Sequence, residues 1–190
     1  MQSIRNFLKL IIKGYLRDFI WNFYGRRYFQ AKLPQTASSF LFICKGNICR
    51  SAFAHYMAEK LSTEKSYVMT SAGIKVTKPE KSPDDAIAAA EAFGISLHAH
   101  RSVPISLDMC RKADMILVME AWQLVKVREQ FPEFDNRVFL LSQFEHNVNQ
   151  RYNGWEKYNI LDPYGKGCDA FQNCFQRIER CLAGLLKQTS

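Results

Sequence analysis

From Phe40 onward, short apolar runs alternate with segments of helical periodicity, and few folds accommodate that alternation. The runs cover residues 40–44, 67–71, 114–119 and 137–142, each of strand length and nearly continuous in apolar character, as a strand buried on both faces must be. Between them, residues 51–61, 83–93 and 121–130 carry helical patterns, with Gly94 as a stop signal. A last helix, predicted over residues 169–187, places Phe171, Phe175, Ile178, Leu182 and Leu185 on one face. Parallel strands need crossover connections, which the helices supply. The expected fold is therefore α/β, a four-stranded parallel sheet with helices on both faces. In such sheets ligands bind beyond the carboxyl ends of the strands, which directs attention to the first strand-to-helix turn.

The positive charge is concentrated at one end. Of a net +8, residues 1–39 contribute +6, with seven Lys and Arg against Asp18 alone, so the body is only mildly basic. Within residues 1–30, Ile4, Leu8, Ile11, Tyr15, Phe19 and Phe23 recur at helical spacing and predict an amphipathic helix. Charges interrupt it too often for a transmembrane span, which needs about 20 mostly apolar residues. No small-residue cleavage site follows, so a secretory signal is not expected. A mitochondrial targeting peptide shares the basic, acid-poor composition. Residues 31–39, with Pro34, read as a linker. The domain division is thus residues 1–38 as extension and linker, and 39–190 as the folded domain. The apolar stripe calls for burial against its own domain, a second copy or a partner protein, and its basic flanks would also suit an anionic membrane surface. Nucleic-acid binding would place basic residues among aromatics on the body, and is not expected.

The six cysteines are even in number, but a 190-residue chain with a core of its own needs no disulfide staples. A reducing, cytoplasmic compartment is expected, peripheral at the inner membrane face where the extension meets lipid.

The first turn reads Cys44-Lys45-Gly46-Asn47-Ile48-Cys49-Arg50-Ser51. Cys174 and Arg180 have the same six-residue spacing, so the spacing alone carries little. That second pair lies inside an amphipathic helix, with no preceding strand and no glycine, and is read as structural. At Cys44 the context is different. A strand delivers the cysteine, Gly46 and Asn47 let the backbone curl, and a helix starts near Arg50. Successive N–H groups can then converge on an anion, helped by the positive end of the helix. Arg50 can hold two phosphate oxygens in a bidentate fork, and the same field favours a Cys44 thiolate as nucleophile. The turn lacks the Gly-Lys-Ser/Thr ending of a nucleotide phosphate loop, so ATP is not implied. No metal-ligand cluster and no cofactor motif is present.

The stretch CKGNICRSAFAHYMAEKL resembles the phosphate loop of the low-molecular-weight protein tyrosine phosphatases. SAGI at residues 71–74, HRS at 100–102, ADMILVM at 113–119 and DPYG at 162–165 follow in the family order. The resemblance covers about residues 39–186 and implies hydrolysis of phosphotyrosine through a cysteinyl-phosphate. It assigns Cys44 as nucleophile, Arg50 as phosphate clamp and Asp162 as general acid. It has Ser51 hydrogen-bond the thiolate, and Asn47 brace the loop through Ser71 and His100. Lys45, Gly46, Asn47, Ile48 and Cys49 would surround the phosphate, and Tyr164 would flank an aromatic substrate. Alternatives stand beside several of these: a helix cap for Ser51, ordinary packing for Ser71, His100 and Tyr164, and a turn aspartate for Asp162. Cys49 is either a packed cysteine or the partner that traps an oxidised Cys44 as a disulfide.

Three departures from the family pattern stand out: Ala52 where Pro is usual, His55 where Glu is usual, and residues 75–83 without Trp or Tyr. The sequence is most similar to bacterial members associated with tyrosine kinases of surface-polysaccharide export. Expected partners are accordingly a tyrosine-phosphorylated protein, with a bacterial tyrosine kinase among the candidates. An arsenate reductase of the same fold would need two further cysteines after the ADMILVM strand, and residues 120–130 contain none. A non-catalytic phosphate-binding scaffold would be favoured by loss of the nucleophile or the acid, and both are present.

Overall fold

In the computed structural model, which describes residues 36–62, 67–152 and 154–189, the apolar runs form one sheet. The amphipathic stretch expected over residues 1–30 lies outside the described residues. β1 (Ser39–Cys44) pairs in parallel with β2 (Val68–Gly73) on one side and β3 (Met115–Val118) on the other. β3 in turn pairs in parallel with β4 (Val138–Leu140), which gives the order β2-β1-β3-β4. This is the four-stranded parallel sheet that the alternation predicts.

Alternate side chains of β1 divide the core in two. Phe40 and Phe42 point to a cluster built with α1 (Arg50–Leu61), α2 (Asp84–Glu91) and α6 (Cys168–Gln188), where the rings of Phe53 and Phe175 stack with centroids 4.0 Å apart. Leu41 and Ile43 point the other way, to Cys110 of α3 (Leu107–Lys112) and Leu124 and Val127 of α4 (Ala121–Gln130). Helices therefore cover both faces, and all four β1 side chains are buried, as continuous apolar runs require.

The expected boundaries shift in places. β2 starts at Val68 rather than Tyr67 and continues through Ala72 to Gly73. β4 stops at Leu140, and Leu141–Phe144 turns into a 3₁₀ segment while Leu141 and Ser142 stay buried, so burial there does not mean strand. α3 was not predicted. Its six residues are too few to show a period, and its start is marked by Ser106, whose Oγ accepts from Met109 N at 3.3 Å. A further short helix, α5 (Val148–Arg151), and the 3₁₀ segment Gly154–Tyr158 lie between β4 and α6.

Ser39, assigned to the linker by its composition, is the first residue of β1. Asp114 Oδ2 accepts from the backbone N of Ser38 and of Ser39, both at 2.9 Å, and from their hydroxyls at 3.1 and 2.8 Å. Burial pushes the Asp114 carboxyl up, but these hydrogen bonds outweigh it and hold the group below its ordinary range.

Candidate active site

Cys44 ends β1 at the carboxyl edge of the sheet, and the chain must turn within five residues to start α1 at Arg50. The left-handed residue that makes this possible is Asn47, at φ 53°; Gly46, which also fits that role by composition, does not adopt positive φ. Asn47 is fully buried and holds the turn from inside. Its Nδ2 donates to Ser51 Oγ at 2.9 Å and Ser71 Oγ at 3.0 Å, and its Oδ1 accepts from Val103 N at 2.9 Å. His100 Nε2 donates to the Asn47 carbonyl at 2.7 Å. Burial keeps His100 below the ordinary histidine value; the Asn47 bond opposes this, and the charges of His55 and Arg101 add to it. Ser71 and His100 are thus where the resemblance places them, directly on Asn47.

Two residues that sequence reasoning gave no role complete the support. A Cβ on Gly73 would lie 2.9 Å from both Asn47 N and Gly46 C, so only glycine lets the end of β2 lie against the turn. His55 faces the same network, with Nδ1 3.5 Å from Ser71 Oγ and Nε2 3.1 Å from Glu59 Oε1.

The turn aims donors at sulfur. Cys44 Sγ accepts from Asn47 N at 3.2 Å and from Ser51 Oγ at 3.0 Å. The N-cap of α1 is Cys49, so the Ser51 hydroxyl serves the sulfur and not the helix end. Burial, with Cys44 and Asp162 adding, pushes the Cys49 thiol well above its ordinary range.

Arg50, only 1% exposed, opens α1. Its Nη1 donates to Glu120 Oε1 and, at 3.0 Å, to the Ile160 carbonyl, and its Nη2 lies 2.7 Å from Asp162 Oδ2. Burial works against its charge, but Cys44, Asp162 and Glu120 outweigh it, so the guanidinium is held more firmly protonated than usual. Arg50 Nε is buried with no hydrogen-bond partner, a donor left for an anion. Glu120 was not singled out by sequence reasoning; its one signal is its place immediately after the 114–119 run, at the carboxyl edge where sites form.

These groups meet in a cleft of about 220 Å³. Cys44, Arg50 and Asp162 line it together with Lys45, Gly46, Ile48, Cys49 and Tyr164, all residues proposed from the sequence, and with Lys75 and Glu80, which were not. Tyr164 is 62% exposed at the rim, not packed into the core. Asp162 Oδ1 also accepts from Tyr164 N at 3.3 Å, so the turn-aspartate reading holds alongside its position in the cleft. The cleft thus assembles a cysteine whose sulfur meets two donors, a fixed guanidinium and a carboxyl. Cys174 and Arg180 lie on α6, as the helical pattern predicts.

The family model described as low molecular weight phosphotyrosine protein phosphatase matches residues 39–190. Among curated proteins, the chain is 32% identical over 155 residues to the low molecular weight protein-tyrosine-phosphatase Etp of Escherichia coli K12, spanning 80% of this chain and 95% of Etp. Among solved structures, the tyrosine phosphatase Wzb from Escherichia coli K30 in complex with sulphate superposes with a TM-score of 0.71 at 26% identity, covering 82% of this chain and 100% of that one. The tyrosine phosphatase AmsI of Erwinia amylovora gives a TM-score of 0.70 at 28% identity, covering 80% and 93%. With four-stranded sheet, turn and cleft in agreement, the chain belongs to the low-molecular-weight phosphotyrosine protein phosphatase family.

Proposed function

We propose that this enzyme removes phosphate from phosphotyrosine in proteins through a cysteinyl-phosphate on Cys44, with Arg50 as clamp and Asp162 as acid and base. The observation that carries the reading is the convergence of Asn47 N and Ser51 Oγ on Cys44 Sγ in a cleft that Arg50 and Asp162 also line. The phosphoryl oxygens accept from the backbone N–H groups of the 45–50 turn and from the Arg50 fork. The Cys44 thiolate attacks phosphorus, forming the S–P bond as the P–O bond to the tyrosyl oxygen breaks. Asp162, turned from Arg50 and protonated, gives its proton to that oxygen. Water then attacks phosphorus, Asp162 takes its proton, and Cys44 leaves as thiolate with release of inorganic phosphate. One carboxyl serves both steps because the second reverses the first proton transfer. Tyr164 at the rim flanks the substrate ring. The residues named are those the resemblance assigns, and their distances support the roles.

Hydrolysis of phosphotyrosine and phosphoserine peptides in the presence of chelator tests this reading. Phosphotyrosine is expected to react, and Cys44→Ser and Arg50→Lys to abolish the reaction. Retention of most activity by Cys44→Ser would refute the mechanism.

The similarity to bacterial members associated with tyrosine kinases favours such a kinase as the physiological substrate. Residues 1–38 are read as an appended segment on the 39–190 domain, whose charge and apolar stripe support a cytoplasmic enzyme peripheral at the inner membrane face. Flotation on anionic and neutral vesicles, comparing the full chain with one starting at Ser38, distinguishes this from a packing role. Binding to anionic vesicles by the full chain alone is expected; aggregation or a changed oligomeric state of the truncated chain would point to packing.

A further inference from the structure

Arg177 of α6 is buried, yet its guanidinium serves a stretch of chain that leads into the cleft. Nη1 donates to the carbonyls of Glu156 at 2.9 Å and Asn159 at 2.8 Å, and Nη2 donates to the Lys157 carbonyl at 3.1 Å. Nε donates to Glu145 Oε2 at 3.0 Å. The Glu145 side chain is fully buried and is held from its other oxygen by Arg180 Nε at 2.8 Å, so the direction of the Arg177 fork is fixed. The ring of Tyr152 lies under the guanidinium, 3.8 Å from Cζ to centroid. A single side chain thereby gathers three carbonyls at the end of the 3₁₀ segment Gly154–Tyr158, of which that of Glu156 also accepts from Asn159 N at 3.2 Å.

The residues that follow build the proposed acid site. Asn159 Oδ1 accepts from Ala121 N at 2.8 Å, and Ile160 N donates to the Met119 carbonyl at 2.8 Å. The Ile160 carbonyl takes Arg50 Nη1, and two residues later Asp162 meets Arg50 Nη2. Behind residues 160–163 lies a second cleft of about 310 Å³, with Cys174 and Arg177 on its far wall. Ile160 packs into the core and the Leu161 carbonyl accepts from Cys174 Sγ at 3.6 Å, so core packing and hydrogen bonds to the backbone together set where the segment sits.

We propose that Arg177 is a positioning residue for Asp162, a staple from α6 that fixes the segment carrying the acid at the height of the Cys44 cleft. The inference rests on Asp162 being the acid, and it gives the buried ion cluster of Glu145, Arg177 and Arg180 a part in the chemistry beyond joining α6 to the fold. A misplacement of about 1 Å can cost on the order of 100-fold in rate. The acid is needed most where the leaving oxygen is most basic.

The test is kcat/KM for a series of aryl phosphates, from phosphotyrosine to dinitrophenyl phosphate, with wild type, Arg177→Lys, Asp162→Asn and the double variant. Arg177→Met would take a donor from three carbonyls and leave Glu145 with Arg180 alone of its two arginines, and is expected to destabilise the whole fold; Arg177→Lys keeps the charge and loses the fork. Arg177→Lys should lower kcat/KM for phosphotyrosine by about 10- to 100-fold, with a much smaller loss for dinitrophenyl phosphate. On the Asp162→Asn background it should add little, and alone it should tighten inhibition by inorganic phosphate by no more than the roughly 2- to 5-fold expected of Asp162→Asn. Equal losses across all leaving groups, or losses that multiply in the double variant, would overturn the proposal. Inactivity of the wild type towards every aryl phosphate would refute the phosphatase reading itself.

Discussion

Arg50 Nη2 and Asp162 Oδ2 are 2.7 Å apart, so the proposed clamp and the proposed acid are bound to each other. An entering phosphate and the Asp162 carboxylate compete for the same nitrogen. Asp162→Asn should therefore tighten inhibition by inorganic phosphate roughly 2- to 5-fold, since a part-exposed ion pair is worth about 1 kcal/mol or less. The same variant should lose phosphotyrosine turnover. Competitive inhibition curves give the answer, and weaker inhibition by phosphate would mean that Asp162 assists oxyanion binding instead of opposing it.

Asn47 combines a left-handed backbone with three side-chain hydrogen bonds, and two substitutions separate these contributions. Asn47→Gly and Asn47→Ala both lose the side-chain bonds, at roughly 1 kcal/mol each. Alanine also meets the left-handed penalty, so it should be the less stable by about 1 kcal/mol. Denaturant titration of both variants measures the difference. Equal stabilities would show that the turn relaxes out of φ 53° once the amide is gone.

Alkylation should be selective among the six cysteines, all free thiols. Cys44 lines the cleft with two donors on its sulfur and should react, with protection by inorganic phosphate. Cys168 is exposed and should react without protection. Burial pushes Cys174 up to about 12, and Cys49 and Cys181 higher, so these three should be spared. Peptide mapping after brief iodoacetamide treatment checks the pattern, and prompt labelling of Cys49 would contradict it.

Stability should fall with acid in two windows. His100 and His55 titrate below the ordinary histidine value of 6.5 in the folded chain, chiefly through burial. Between 6.5 and their folded values the unfolded chain binds protons that the folded one does not, so stability present above 6.5 is lost as pH falls through that range. Asp114 is held below 3.8, so its contribution persists above 3.8 and is lost only as pH falls further. Denaturation midpoints from pH 8 to 3 should show both declines, and His100→Asn should flatten the upper one. An unchanged upper decline in that variant would assign it to other groups.

What could be read from the sequence was what is local. Phe40 to Ile43 declared a strand buried on both faces, and the turn after Cys44 announced itself through Gly46, Asn47 and the helix that follows. Finer attribution failed even there, since composition allows both Gly46 and Asn47 to take positive φ and only the fold chooses Asn47. The contacts that no local pattern encodes are those made across the chain. Glu120 reaches Arg50 from 70 positions away, and Arg177 gathers carbonyls 18 to 21 positions before it. Arg177 has no distinctive neighbour to mark it, and Glu120 only its place after the 114–119 run. At Leu141 and Ser142 the 137–142 run outlasts the strand for the opposite reason, because an apolar run reports burial and not the backbone that achieves it.

β1 is six residues long, roughly 17 Å from Ser39 to Cys44. Asp114 pins the first of these, and the proposed nucleophile is the last. Pinned end and proposed working end are opposite poles of one buried rod. Ser38, bonded to Asp114, lies at the Ser39 end of β1, and the cleft lies at the Cys44 end. A tether joined at Ser38 therefore pulls on the end of β1 away from the cleft, so a change in that tether is expected to leave the turn after Cys44 in place.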